Sequence, residues 1–113
     1  MNNNDFNAIL KRDFNEEFIV KMKKAMLTSH YKYGYVSQTY PDLAQAQKCI
    51  VPRLNKYLET HNSEYLVDIA NFAMIEFMFP SFDDVKYIPT DSKESIGLAD
   101  GISYNELMAQ MEE

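Results

Sequence analysis

The run of residues 66–79, LVDIANFAMIEFMF, decides the fold expected for this chain of 113 residues. Eleven of its fourteen residues are apolar, and on a helix they would cover all sides, so a helix here must be buried on most of its faces. The length of the run, with alanine and methionine inside it, favours a helix over a strand. Because Pro80 ends the run, the sequence predicts a helix over residues 64–79.

Helical spacing also marks the two segments before this run. Apolar residues recur at steps of three and four along residues 13–33, so the sequence predicts a helix there. A second series predicts a helix over residues 41–60, which Pro52 should kink, or split near Ile50, because proline removes a backbone hydrogen bond. Only about three residues then separate this helix from the 64–79 helix, so the two should be antiparallel neighbours.

The two ends of the chain are more polar than its middle. The first dozen residues show no sustained pattern, and residues 80–101 read as a polar loop. An S-x-x-E capping box at Ser103 then predicts a short helix over residues 104–112. Together these elements predict an all-α fold in a single domain over 1–113. It is an antiparallel helical bundle of three main helices plus a short C-terminal helix.

Composition narrows the classes of protein further. The net charge of −6 disfavours binding to nucleic-acid polymers, and no apolar stretch is long enough to cross a membrane. The single cysteine, Cys49, excludes an intramolecular disulfide framework, which suits a reducing cytoplasm. The 64–79 helix is more apolar than one small chain can cover, so we expect a homodimer or a higher homo-oligomer.

A polar stripe interrupts the apolar surface of the 64–79 helix. Glu64, Asp68 and Asn71 share one face of it, while Asn55 and Glu59 share a face of the preceding helix. If the three carboxylates converge, they form an oxygen-rich site that suits Mg²⁺ or Mn²⁺. The alternative is that the glutamates are exposed near helix ends and that the other polar side chains form hydrogen bonds within the bundle.

Basic and aromatic side chains add two further candidates for ligand binding. Lys32, Arg53 and Lys56 could neutralise phosphate oxygens, or they could simply be solvated. A group of tyrosines could stack on a nucleobase or line a wet interface between subunits. These tyrosines are Tyr31, Tyr33, Tyr35 and Tyr40.

The segments RLNKYLETHN at 53–62 and SEYLVDIANFAM at 63–74 resemble the core of MazG-like nucleotide pyrophosphohydrolases. The resemblance is greatest to small phage and prophage versions, which have a tail similar to PTDSKESIG at 89–97, and it covers about residues 40–100. It implies an all-α oligomer in the cytoplasm of a bacterial or phage-infected bacterial cell. It also implies Mg²⁺-dependent hydrolysis of (deoxy)nucleoside triphosphates to monophosphate and pyrophosphate.

The family signature is E-x-x-E on one helix and E-x-x-D on the next. Asp68 matches the final aspartate, while the glutamate before it would fall at Tyr65, one place from Glu64. Where the signature has its E-x-x-E pair, this sequence has only Asn55 and Glu59, which supply one carboxylate instead of two. We therefore also consider a catalytically silent phage or prophage helical protein that binds a nucleotide or a protein partner.

The site predicted from the sequence and the resemblance has three groups of residues. The catalytic residues are Glu59 and Asp68, and the Mg²⁺ ligands are Glu59, Glu64 and Asp68. The substrate-binding residues are Asn55, Asn71, Lys32, Arg53 and Lys56, and the substrate is a nucleoside triphosphate.

Overall fold

The computed structural model of the chain describes residues 3–90, and every regular element among them is helical. The predicted all-α class is confirmed for this part of the chain, and none of its helices is long and apolar enough to cross a membrane. The α-helices are α1 (Asn3–Asp13), α2 (Glu16–Tyr33), α3 (Ile50–Thr60) and α4 (Glu64–Met78), with 3-10 turns at Val36–Gln38 and Ala46–Cys49.

Helix α4 lies at the centre of the packing. It contacts α2, α3 and the 3-10 turn Ala46–Cys49 extensively, as expected for a helix that is apolar on most sides. It contains Val67, Asn71 and Ile75, three of the four residues that are buried in the described part of the chain. The fourth is Ala46 in the adjoining turn. The helix predicted over 64–79 is thus observed one residue shorter.

Helix α2 begins three residues later than predicted. The side chain of Asn15 is its N-cap and accepts a 2.7 Å hydrogen bond from the backbone N–H of Phe18, which fixes the start at Glu16. The helix ends before Gly34, whose φ of 82° lies in the left-handed region that glycine adopts without strain. The predicted end at residue 33 is confirmed.

Helix α3 differs most from its prediction. The sequence predicted a bent helix over 41–60, but turns and the 3-10 segment Ala46–Cys49 precede a helix that begins only at Ile50. Of the two effects predicted for Pro52, the split near Ile50 agrees with this boundary, and the proline itself lies in the first turn of α3. A backbone N–H in that turn has no partner within the helix, so proline loses no hydrogen bond there.

Helix α1 was not predicted. It buries no residue, and its apolar side chains Phe6, Ile9 and Leu10 are between 42% and 55% exposed. At the other end, the described residues after α4 form no helix or strand, and contacts divide the chain after Asp83. The predicted 104–112 helix lies outside the described residues, and the single domain over 1–113 stays a prediction.

Candidate functional site: a pocket between α2, α3 and α4

A pocket of about 450 Å³ lies between the C-terminal half of α2, the segment after it, α3 and α4. Its walls include apolar side chains of α2 and α4, and a small number of polar groups project into it. Pockets of this size, with a largely apolar lining and few polar groups, are typical of small-molecule sites. Three of the predicted site residues line this pocket, namely Arg53, Asp68 and Asn71.

Arg53 and Asp68 form an ion pair across the α3–α4 contact. Arg53 Nε lies 3.7 Å from Asp68 Oδ2, and the two side chains are 40% and 33% exposed. The Arg53 guanidinium also lies over the ring of Phe72, 5.4 Å from its centroid. This distance is in the range of a cation–π contact, so α4 orients the guanidinium through two neighbouring side chains.

The pKa of Asp68 is raised above its ordinary value. Burial is the main cause because it disfavours the charged carboxylate. The nearby charge of Arg53 lowers the pKa and that of Glu64 raises it. Glu64 is therefore close enough to Asp68 for their charges to interact. The result is a carboxyl group that gains a proton more readily than an exposed aspartate, a property frequent at catalytic and binding sites.

Asn71 of α4 lines the pocket and is bound to α2. Its side chain donates a 3.1 Å hydrogen bond from Nδ2 to the backbone carbonyl of Met22 on α2, and the residue is 6% exposed. Its Oδ1 is buried and has no hydrogen-bond partner within the described chain. Buried amide oxygens usually have a partner, so this atom is a candidate acceptor for a hydrogen bond from a ligand.

Aromatic side chains form another wall of the pocket. Tyr40 lies beside Cys49, and burial raises the pKa of its phenol, with Cys49 raising it further and Arg53 lowering it. Tyr33 and Tyr35 line the pocket but are 75% and 67% exposed. The sequence pointed to these tyrosines as possible base-stacking groups. It did not single out Phe72, although Phe72 stands one helical turn after Asp68 and therefore shares its face.

The other predicted site residues lie outside this pocket. Glu59 is exposed and forms a 3.6 Å surface ion pair with Lys56. Glu64 lines a separate pocket between the start of α4 and α2. Asn55 and Lys32 are exposed, and neither lines the central pocket. The structure thus brings together three of the eight predicted residues.

The predicted metal ligands do not form a shared site. Within residues 3–90, no group of three or more histidine, cysteine, aspartate or glutamate side chains could hold a metal ion. Asp68 has Arg53 as its near neighbour, and Glu59 has Lys56. A three-carboxylate Mg²⁺ site requires that all three carboxylates contact one ion at about 2.1 Å. Mg²⁺ as a cofactor stays a prediction.

Comparison with known proteins adds no relative. No protein-family model, curated protein or solved structure matches the chain. The resemblance to MazG-like enzymes therefore rests on the quoted residues alone.

Proposed function

We propose that the chain binds a nucleoside triphosphate in the pocket between α2, α3 and α4. The observation that supports this most is the presence of Arg53, Asn71 and several aromatic side chains in one cavity of about 450 Å³. Such a cavity offers a cation for phosphate, an acceptor for a base N–H group and flat rings for stacking. These are the groups that a nucleotide requires.

Arg53 is the phosphate-binding residue in this proposal. Its contact with Asp68 is through Nε, and Asp68 is its ion-pair partner among the described residues. The terminal amino groups of the guanidinium can therefore donate to phosphate oxygens while Nε still faces the carboxylate. Phe72 beneath the guanidinium limits its rotation, so less side-chain entropy is lost when a phosphate binds.

The nucleobase is placed against the aromatic wall. Tyr40 and the exposed rings of Tyr33 and Tyr35 provide stacking surfaces. Each of these rings can stack on any nucleobase because every base has an aromatic face. A base amino or imino group that donates to Asn71 Oδ1 would give this buried oxygen the partner that it lacks. Because Nδ2 donates to the carbonyl of Met22, Oδ1 is the atom of this amide that is left to accept a hydrogen bond.

Hydrolysis of the bound nucleotide to monophosphate and pyrophosphate is a second candidate function. The resemblance implies it, and the raised pKa of the pocket carboxylate Asp68 favours it. In this reaction a water oxygen bonds to the α-phosphorus while its proton passes to the Asp68 carboxylate. The bond from the α-phosphorus to the α–β bridging oxygen breaks, and pyrophosphate leaves with its electron pair. The reaction would take place in the bacterial cytoplasm.

Binding is tested by calorimetric titration with a panel of ribo- and deoxyribonucleoside triphosphates, with and without Mg²⁺. We expect at least one nucleotide to bind, and Arg53→Ala to weaken it roughly 10- to 100-fold because a charged hydrogen bond is lost. Arg12→Ala is the matched control, since Arg12 is an exposed arginine of α1 and does not line the pocket. If no nucleotide binds, or if both variants lose equal affinity, the proposed site is wrong.

Hydrolysis is tested separately by the release of pyrophosphate in the presence of Mg²⁺ or Mn²⁺. Turnover that Asp68→Asn abolishes, with nucleotide binding retained, supports the second candidate. Binding without turnover under any of these conditions leaves the protein a nucleotide-binding protein and excludes hydrolysis. Turnover that survives Asp68→Asn removes this carboxylate from the reaction.

A further inference from the structure

Two apolar surfaces of this chain do not meet within it. The first, which we call the α1 face, consists of side chains at helical spacing along α1 and just after it. Each of them is about half exposed, between 42% and 55%. Its members are Phe6, Ile9, Leu10 and Phe14.

The second surface is a groove of about 780 Å³ between α2 and α4, which we call the apolar groove. Half of its lining residues have aliphatic or thioether side chains, chiefly Ile19, Met22, Met26 and Leu27 of α2 and Met74 of α4. The rings of His30 and Tyr35, with centroids 4.6 Å apart and planes inclined by 60°, belong to its wall. No residue of α1 lines the groove, so the α1 face of the same chain does not fill it.

Helix α1 needs a covering surface to be stable. It has eleven residues and buries none of them. Isolated helices shorter than about 12–15 residues are marginal in water even when their sequence favours helix, and most helices in proteins depend on the packing of an apolar face. The helices that pack extensively within the chain are α2, α3 and α4 with the adjoining 3-10 turn, and α1 is not among them.

We propose that the α1 face docks in the apolar groove of a second copy of this chain, and that the exchange is reciprocal. A second copy is the occupant that the observations favour because residues 3–90 carry both a groove that none of their helices fills and a helix with a half-exposed face of matching apolar character. The same contact then forms twice about a two-fold axis, which is the commonest symmetry of homo-oligomers.

The area that this exchange buries suits a stable dimer. The four half-exposed apolar side chains of each α1 face present roughly 350 Å², given that a fully exposed aromatic side chain presents about 150–250 Å². Each contact buries a similar area on the groove wall, and the contact forms twice. The dimer therefore buries on the order of 1,400 Å² in total, within the 1,200–2,000 Å² of a specific interface. The proposal does not depend on nucleotide binding.

The first test is the oligomeric state in sedimentation velocity over a range of micromolar concentrations. We expect a dimer for the natural chain. Leu10→Asp should raise the dissociation constant of the dimer roughly tenfold or more, because a charge would be buried in the apolar groove. Ala8→Asp is the control, since it introduces the same charge on the side of the same helix that lies opposite the α1 face. Because Leu10 is 55% exposed, circular dichroism should show α2, α3 and α4 still folded in Leu10→Asp. A monomeric natural chain, or a dimer that Leu10→Asp leaves unchanged, overturns the proposal.

The second test shows whether the α1 face and the apolar groove that it fills belong to different chains. Two single-cysteine variants, Leu10→Cys and Met74→Cys, are made with Cys49→Ser and mixed under mild oxidation. We expect a disulfide-linked heterodimer from the mixture and much less from a mixture of Ala8→Cys with Met74→Cys, because Ala8 lies on the opposite side of α1. A third variant carries both Leu10→Cys and Met74→Cys in one chain. If this variant forms a disulfide within itself while the mixture gives no heterodimer, the α1 face covers the groove of its own chain and the proposal is wrong. Native mass spectrometry that shows a monomer with a bound apolar small molecule overturns it as well.

Discussion

Helices α4 and α1 both present large apolar side chains, but their surroundings are opposite. Helix α4 has Val67, Asn71 and Ile75 buried against α2, α3 and the adjoining turn, whereas α1 buries no residue. The spacing of apolar residues therefore shows that a helix has a face to bury, but not what covers that face. Each helix also carries an isoleucine, an asparagine and an acidic residue, so the two can be compared by matched substitutions.

The largest difference is expected between two isoleucines. Ile75 is 4% exposed in α4, while Ile9 is 42% exposed in α1. Ile75→Ala should lower the free energy of unfolding by about 2–4 kcal/mol because it leaves a cavity in the small core. Ile9→Ala should change it by less than about 0.5 kcal/mol in the monomer, as is usual for surface positions. Urea unfolding followed by circular dichroism at submicromolar concentration measures both values.

The concentration dependence of these measurements serves as the control. If α1 docks on a second copy, Ile9→Ala should destabilise the protein only at concentrations where dimers form. An equal loss for both variants at the lowest concentration would mean that α1 packs on its own chain, and the contrast between the two helices would fail.

Sequence periodicity alone predicted α2 and α4 closely, because their apolar residues recur over fifteen or more residues. It predicted α3 from residue 41, nine residues too early, since Pro41 resembled a helix start and apolar residues at helical spacing follow it through what are turns and a 3-10 segment. The spacing of Phe6, Ile9, Leu10 and Phe14 was the available signal for α1. The asparagines around it obscured this signal, since asparagine is a weak helix former.

The candidate site was predictable only where two helices meet. Arg53 and Asp68 lie at the α3–α4 contact, so a sequence argument that paired these helices found both. Glu59 and Glu64 lie at the helix ends, where a small error in direction moves a side chain from the pocket to the solvent. The role of Glu76 was missed entirely, because its partners come from a turn and from the chain after α4.

The next difference is expected between two asparagines. Asn71 in α4 donates a 3.1 Å hydrogen bond to the carbonyl of Met22 in α2, whereas Asn7 in α1 is exposed. Asn71→Ala should cost about 1–2 kcal/mol of unfolding free energy, the usual value for a lost buried hydrogen bond with a small cavity. Asn7→Ala should be neutral or slightly stabilising, because alanine is the better helix former. Thermal unfolding of the two variants side by side measures the contrast, and a similar loss in both would contradict it.

The smallest difference is expected between two carboxylates, Glu76 of α4 and Asp13 of α1. One oxygen of Glu76 accepts hydrogen bonds from the backbone N–H of Gln47 (3.1 Å) and the Ser81 hydroxyl (2.7 Å), and the other from the backbone N–H of Ser81 (2.7 Å). Burial raises the pKa of this carboxyl, but the three hydrogen bonds outweigh burial and lower it overall. Glu76 thus joins the end of α4 to the turn before α3.

A carboxyl whose pKa is lower in the folded than in the unfolded state stabilises the fold when it is ionised. Its contribution is complete above the unfolded pKa and is lost as the pH falls through the folded pKa. Glu76→Gln should therefore lower the unfolding free energy by about 1 kcal/mol at neutral pH, and the deficit should shrink as the natural chain is acidified below about pH 4. Asp13→Asn is the matched control, since it removes a carboxylate from an exposed residue of α1. Melting temperatures of the three proteins between neutral pH and pH 3 measure this. A deficit of the Gln variant that stays constant across that range would show that its cause is packing and not the charge of Glu76.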